Sequence, residues 1–285
     1  MTSTKNTQIF TNKFNNIISN NDVLVKLFCT LIVAVVTCIL IGHYAFKNGM
    51  LTCDNYVLNT YLYIILSILL MFMVILVNDK FGMFNSLLIW MSQGSMFRMI
   101  GAFILIIAVS IGLIITLQII KPNNIVASNI IWLTLIIVLG ISLIPTIWFG
   151  RLTDVVGLAG MLTILITIVV GFLGYYYGNE IVTFDWDKYL NIALLVLIVV
   201  VIIGMFTITN QNTMYIFYMT ISIICLIIFA LLLLSNHKQL KQNADKCIDG
   251  KVVPNYPVES FNIFIKMLNI FQELISILGI NKSSN

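Results

Sequence analysis

Charge is scarce in this chain. Only 9% of its 285 residues are Asp, Glu, Lys or Arg, whereas 60% are hydrophobic. A soluble domain usually carries about 25% charged residues, so a water-soluble globule of this composition would expose large apolar patches and aggregate. The net charge of +4 is thinly spread, and no dense run of Lys and Arg offers a footprint for nucleic acid. Histidine is rarer still. His43 and His237 have no spacing that would support a dyad with a serine such as Ser95, and no HExxH motif is present, so neither serine nor zinc-protease chemistry is expected. There is no CxxC and no Cys/His cluster, hence no expected metal site or cofactor. Of the five cysteines, Cys29, Cys38 and Cys225 lie in or near apolar runs as small hydrophobes, while Cys53 and Cys247 fall in expected loops, where a disulfide is open to them. No enzyme is expected.

Long apolar runs are what the chain does have. A helix needs about 20 mostly apolar residues to cross ~30 Å of hydrocarbon. Seven segments satisfy this: 23–46, 57–77, 99–120, 125–149, 155–177, 189–207 and 215–235; an eighth, 258–278, is more polar. The runs are continuous rather than alternating, which favours helices over the strands of a membrane barrel. The expected fold is an all-α polytopic transmembrane bundle of seven to eight helices. It is a single domain over 23–279, with a polar tail at 1–22 and a short one at 280–285. Its partners are the lipid bilayer and other membrane proteins. No small-x-small cleavage site follows the first run, so that run is expected to stay as a helix and serve as the insertion signal.

The breaks carry ordinary signals. Lys121-Pro122-Asn123-Asn124 is a tight turn, Gly150-Arg151-Leu152-Thr153-Asp154 links spans four and five, and Glu180, Asp185, Trp186, Asp187 and Lys188 form an acidic interfacial loop. Pro145 is expected to kink span four. The longest polar stretch, 237–257, reads as a loop. With eight crossings and the N-terminus inside, seven basic residues fall on each side: Lys5, Lys13, Lys26, Lys80, Arg98, Arg151 and Lys282 against Lys47, Lys121, Lys188, Lys238, Lys241, Lys246 and Lys251. Such a tie leaves orientation open. It also leaves open whether the semi-apolar stretch 81–97 crosses, re-enters or lies on the surface.

Ionisable residues at membrane depth are costly and are functional candidates by default. The first seven spans hold almost none. In the last, Glu259, Asn262, Lys266, Asn269 and Glu273 are spaced by 3, 4, 3 and 4 and fall within about 80° of arc, opposite Phe261, Phe264, Ile265, Leu268, Phe271 and Ile275. This narrow polar stripe fits either an interfacial helix with its stripe in water or a helix inside a bundle, facing a polar interior. Lys266 and Glu273 are about 10 Å apart by helical rise.

The C-terminal third resembles a known family. The segment 229–240, Phe-Ala-Leu-Leu-Leu-Leu-Ser-Asn-His-Lys-Gln-Leu, is followed by a polar loop. The segment 257–271 then leads to Ile277-Leu278-Gly279. With Asn269-Ile270-Phe271, the Leu278-Gly279 ending and Gly157-Leu158-Ala159-Gly160 upstream, this is similar to the Bax inhibitor-1 family of transmembrane Bax-inhibitor-motif, or Lifeguard-like, proteins. The resemblance implies a helical protein of an internal membrane, such as the endoplasmic reticulum, that modulates cell death and calcium homeostasis. In that family two aspartates form a buried pair that closes a pore and responds to pH. Here they fall on Asn236 and Lys266, one unable to titrate and the other of opposite sign, which leaves calcium no carboxylate pair and implies a lost or altered conductance. The candidate pore or gating stripe is therefore Asn236, Asn262, Lys266, Asn269 and Glu273. The family has about seven helices, so 189–207 reads as an insertion. A transporter or channel of another kind, or a non-transporting anchor, are the alternative functions.

Overall fold

The computed structural model describes residues 20–47, 49–82, 96–182 and 186–284. Among them, α1 (Asn20–Tyr44) leads into a short hairpin, β1 (Phe46–Lys47) and β2 (Met50–Leu51). Seven more helices follow: α2 (Tyr56–Phe81), α3 (Met96–Ile119), α4 (Ile125–Leu152), α5 (Val156–Ile181), α6 (Trp186–Thr207), α7 (Gln211–Ile248) and α8 (Tyr256–Ser284). All except α3 meet the length and hydropathy needed to cross a membrane over their described residues. In α3 the described apolar stretch is Leu105–Ile119. The protein is an all-α multi-pass membrane protein. In lipid each backbone N–H and C=O must be bonded within its own segment, which makes the Ile- and Val-rich runs helical despite their weak helix propensity in water. Several hydroxyls in the spans are satisfied the same way: Thr37 donates to Val33 O at 2.8 Å, Ser110 to Ile106 O at 2.8 Å and Thr163 to Ala159 O at 2.8 Å.

The chain forms two compact units. The first comprises Met1–His43 and Ile65–Ser142. Within it α4 comes close to α2 at Gly140, where a Cβ would stand 3.1 Å from Val74 Cβ. The second comprises Tyr44–Ile64 and Leu143–Asn285. It holds the hairpin, the first turns of α2, the end of α4 and all of α5 to α8. In it α7 packs against α5, α6 and α8, and α8 packs against α5 as well. The buried face of α5 is Ala159, Thr163, Thr167, Gly171, Gly174 and Gly178, a run of small residues that lets another helix approach its backbone.

Two expectations change. The stretch 237–257 is not one loop: α7 continues to Ile248, and only 249–255 lies between helices. Leu233, His237, Leu240, Ala244 and Cys247 recur every three or four residues and are all buried, so the polar end of α7 is amphipathic rather than irregular. It stops at Gly250, whose φ of +71° suits a left-handed cap. Gly250 N donates to Cys247 O and Lys251 N to Lys246 O, both at 2.9 Å. The acidic loop is likewise shorter, with Glu180 in the last turn of α5 and Trp186, Asp187 and Lys188 in the first turn of α6. Pro145 sits inside α4, which runs on to Leu152. Most of 81–97, namely residues 83–95, lies outside the described residues.

Candidate functional site

α8 is the helix that carries polar residues through the spans, and its environment differs from that of its neighbours. No residue from Tyr256 to Ile280 is exposed, whereas α6 is exposed along most of its length. Phe261, Ile263, Phe264, Leu268, Ile270 and Ile275 are buried on its apolar side. Asn262, Lys266, Asn269 and Glu273 are half-buried on the other. Gly150 and Gly279 allow close contact with the end of α4: a Cβ on Gly150 would stand 3.2 Å from Ile275 Cγ2, and one on Gly279 would stand 2.5 Å from Phe149 Cε1.

The stripe residues have different partners. Asn236 Nδ2 on α7 donates to Asn262 O on α8 at 2.7 Å, so two of the expected positions are brought together. Lys266 is one turn further along α8. Among the described residues no carboxylate lies within ion-pair distance of it, and the charge that acts on it is Asp187 at the start of α6. One oxygen of Asp187 accepts a hydrogen bond from Gln239 of α7, and the other is enclosed without a partner among the described residues. Glu273 is separate from Lys266. It lies beside Ser222 of α7, whose Oγ donates to Ser276 Oγ at 3.1 Å. Asn269 is half-buried between these groups along the same helix.

Two further polar clusters did not stand out in the sequence. His237 is fully buried. Its Nδ1 lies 2.8 Å from Leu233 O and its Nε2 lies 2.8 Å from Tyr61 Oη. A carbonyl can only accept, so the neutral ring carries its proton on Nδ1 and Nε2 accepts from Tyr61. α5 reaches this ring through glycines: a Cβ on Gly171 would be 2.9 Å from His237 Nε2. Farther along, Lys238 Nζ donates to Val182 O just beyond α5 at 2.7 Å, and Gln242 Nε2 to Asn179 Oδ1 at 3.1 Å. The second cluster surrounds the start of α8. Asn243 Nδ2 donates to Glu259 Oε1 at 2.6 Å, and the Tyr56 hydroxyl interacts electrostatically with that carboxylate. Tyr256 bonds Thr52 O, and Asn59 Nδ2 reaches Tyr256 Oη at 3.2 Å, Asp54 O at 3.0 Å and Tyr44 O at 3.2 Å. A Cys53–Cys247 disulfide, with Cα atoms 5.6 Å apart, ties this region together. Cys247 is thus in the last turn of α7, not in a loop. Among the described residues no group of three His, Cys, Asp or Glu side chains is placed to hold a metal ion.

A family model described as "Inhibitor of apoptosis-promoting Bax1" matches residues 53–283. The chain belongs to this family. No curated protein matches it closely enough to be counted a relative. The match runs from Cys53, just after the hairpin, to the last turn of α8 and takes in seven described helices, α2 to α8. The helix outside it is therefore α1, and α6, the helix read as an insertion, lies inside it. As a Bax inhibitor family member the chain has its fold and its multi-pass membrane character accounted for.

The signal for the His237–Tyr61 pair was present in part, because His237 shares the three-to-four spacing of the buried face of α7. Tyr61 had no such signal, being one aromatic among many in an apolar run. Glu259 was visible on the stripe, but its holders Asn243 and Tyr56 are 16 and 203 residues away in sequence.

Proposed function

We propose that the chain modulates cell death and ion homeostasis in an internal membrane such as the endoplasmic reticulum, acting without enzymatic chemistry. In this reading the family's acid-sensing carboxylate pair is replaced by Asn236 and Lys266. The observation that most supports it is the enclosure of α8. An interfacial helix would leave its polar stripe in water, but this stripe is half-covered along its length and Asn236 bonds the α8 backbone one turn from Lys266. Two carboxylates at such positions would share a proton and respond to pH. An amide and an ammonium have no shared proton to lose, and a fixed cation in a confined path opposes the passage of calcium. The chain then keeps the scaffold while its calcium leak is weak or absent.

The test is calcium flux into liposomes carrying the protein, read with an enclosed dye as the medium is acidified. The native chain should show no acid-triggered response, and the Asn236→Asp, Lys266→Asp double variant should gain one. An ordinary acid-triggered calcium leak from the native chain would overturn the reading. A second reading, a channel or transporter of different selectivity lined by the stripe, is favoured by Lys266, which has no carboxylate within ion-pair distance among the described residues. A steady native flux of another ion, abolished by Lys266→Ala, would point there. An anchor or assembly role would give no flux from any variant.

A further inference from the structure

The Cys53–Cys247 bridge spans a chain separation of 194 residues, and both of its ends adjoin groups that hold the first carboxylate of the α8 stripe. Tyr56, three residues after Cys53, lies against Glu259 and interacts with it electrostatically, and Asn243, four residues before Cys247, donates a hydrogen bond to Glu259 at 2.6 Å. The residue preceding Cys53, Thr52, receives the Tyr256 hydroxyl from the first turn of α8. Disulfide, hairpin, α7 end and α8 start therefore form one closed ring: Cys53 to Tyr56, Tyr56 to Glu259, Glu259 to Asn243, Asn243 to Cys247, and back through sulfur.

We propose that this bridge is a redox-responsive latch on the outer end of the polar stripe, open when reduced and closed when oxidised. The proposal deepens the functional reading above, since the stripe is the element it controls. Three features support a latch rather than a simple staple. First, the groups it fixes sit at helix ends and in the hairpin segment, where opening can stay local rather than spread through the bundle. Second, the two sulfurs differ in access: Cys247 is 2% exposed, whereas Cys53 is half-exposed in the hairpin segment. An external thiolate therefore attacks Cys53 Sγ, forms a mixed disulfide there and expels Cys247 as thiolate, which takes up a proton. A second thiol resolves the mixed disulfide, so the bridge gains two electrons and two protons while the dithiol becomes a disulfide. Third, the six helices α2 to α7 lie between the cysteines. The bridge joins the two ends of that segment, so both cysteines lie on one face of the membrane, which must be a face where disulfides persist, a lumen or the exterior. The thiol poise of that compartment is then what the latch reads.

The experiment uses the full-length protein in lipid nanodiscs, with and without dithiothreitol, and follows backbone hydrogen exchange by mass spectrometry. It does not depend on flux, so its failure is separate from failure of the functional reading. Reduction should raise exchange at least tenfold in peptides covering 44–60 and 243–262 and leave the middle of α5 unchanged. Cys53→Ser and Cys247→Ser should each show the raised exchange already and give no further response to dithiothreitol. In the oxidised native chain a maleimide should modify three cysteines under denaturing conditions, Cys29, Cys38 and Cys225, rather than five. Unchanged exchange on reduction would make the bridge an inert staple and overturn the latch. Loss of protection throughout α5 to α8 would overturn it as well, by showing that the bridge holds the fold. Five reactive thiols in the native chain would remove its basis.

Discussion

Replacing Gly174 with alanine tests the contact on which the α5–α7 packing depends. A Cβ at this position would overlap the carbonyl oxygen of Leu234 and stand 2.9 Å from His237 Cβ. Both are on the rigid body of α7, so neither can swing aside as the tip of a long side chain would. The helices must part by roughly 1 Å at that level, enough to forfeit a quarter to a half of the dispersion contact on either side. Overpacking of this kind typically costs about 1–3 kcal/mol. Separation also lengthens the 2.7 Å bond from Lys238 to Val182 O, which caps the C-terminal end of α5. Alanine's better helix propensity returns about 1 kcal/mol. The net expectation is destabilisation by about 1 kcal/mol, at most about 2. Gly160 on the same helix is the internal control, because a Cβ there meets nothing within 4 Å. Gly160→Ala should be neutral or stabilising by up to about 1 kcal/mol. The assay is dodecyl sulfate unfolding of the purified protein in mild detergent, followed by circular dichroism. If Gly174→Ala proves no less stable than Gly160→Ala, the close seam is not what holds the two helices.

Other outcomes follow from the same contacts. Tyr256→Phe keeps the ring packing against Tyr56 and Tyr63 but loses the hydroxyl bonds to Thr52 and Asn59, and should cost about 1–2 kcal/mol in the same unfolding assay. His237→Phe leaves the Tyr61 hydroxyl without its acceptor and should cost about 1–3 kcal/mol; adding Tyr61→Phe should recover part of this, because no polar group is then stranded. Lys251→Ala removes an exposed pair with Asp249 and should change stability by less than about 0.5 kcal/mol, a loss above 1 kcal/mol being contrary evidence.

The helical class and the approximate spans were legible because lipid imposes a length and a continuous apolar run, and residues such as those of 125–149 satisfy both. Family membership was legible from the C-terminal third, where Asn269-Ile270-Phe271 and Leu278-Gly279 stand out from the apolar background. The end of α7 was misread because hydropathy responds to its lysines and glutamines. The buried face, Leu240, Ala244 and Cys247, shows only when every third or fourth residue is followed. The role of Gly171, Gly174 and Gly178 was hidden for a different reason. Small residues look alike whether they face lipid or another helix, and only the position of α7 distinguishes Gly174 from Gly160. Long-range pairs such as Cys53–Cys247 and Tyr61–His237 join points 194 and 176 residues apart, and no local pattern encodes them.

The enclosure of α8 bears on how the protein is made. Of the seven described helices apolar enough to span, α8 has the lowest mean hydropathy, 1.7 against 2.5 or more for the others, and it leaves the ribosome after the other six. A segment with Glu259, Lys266 and Glu273 is a poor candidate to partition alone into lipid, where each charge costs about 2.5–3.5 kcal/mol even on insertion scales. The helices it packs against, α5, α7 and the end of α4, precede it in the chain. They can be assembled as a groove before α8 emerges, so biogenesis becomes templated: the earlier, greasy helices act as the receptor and the later, more polar helix as its ligand. Truncation before residue 256 should then leave a membrane-inserted chain with an empty slot.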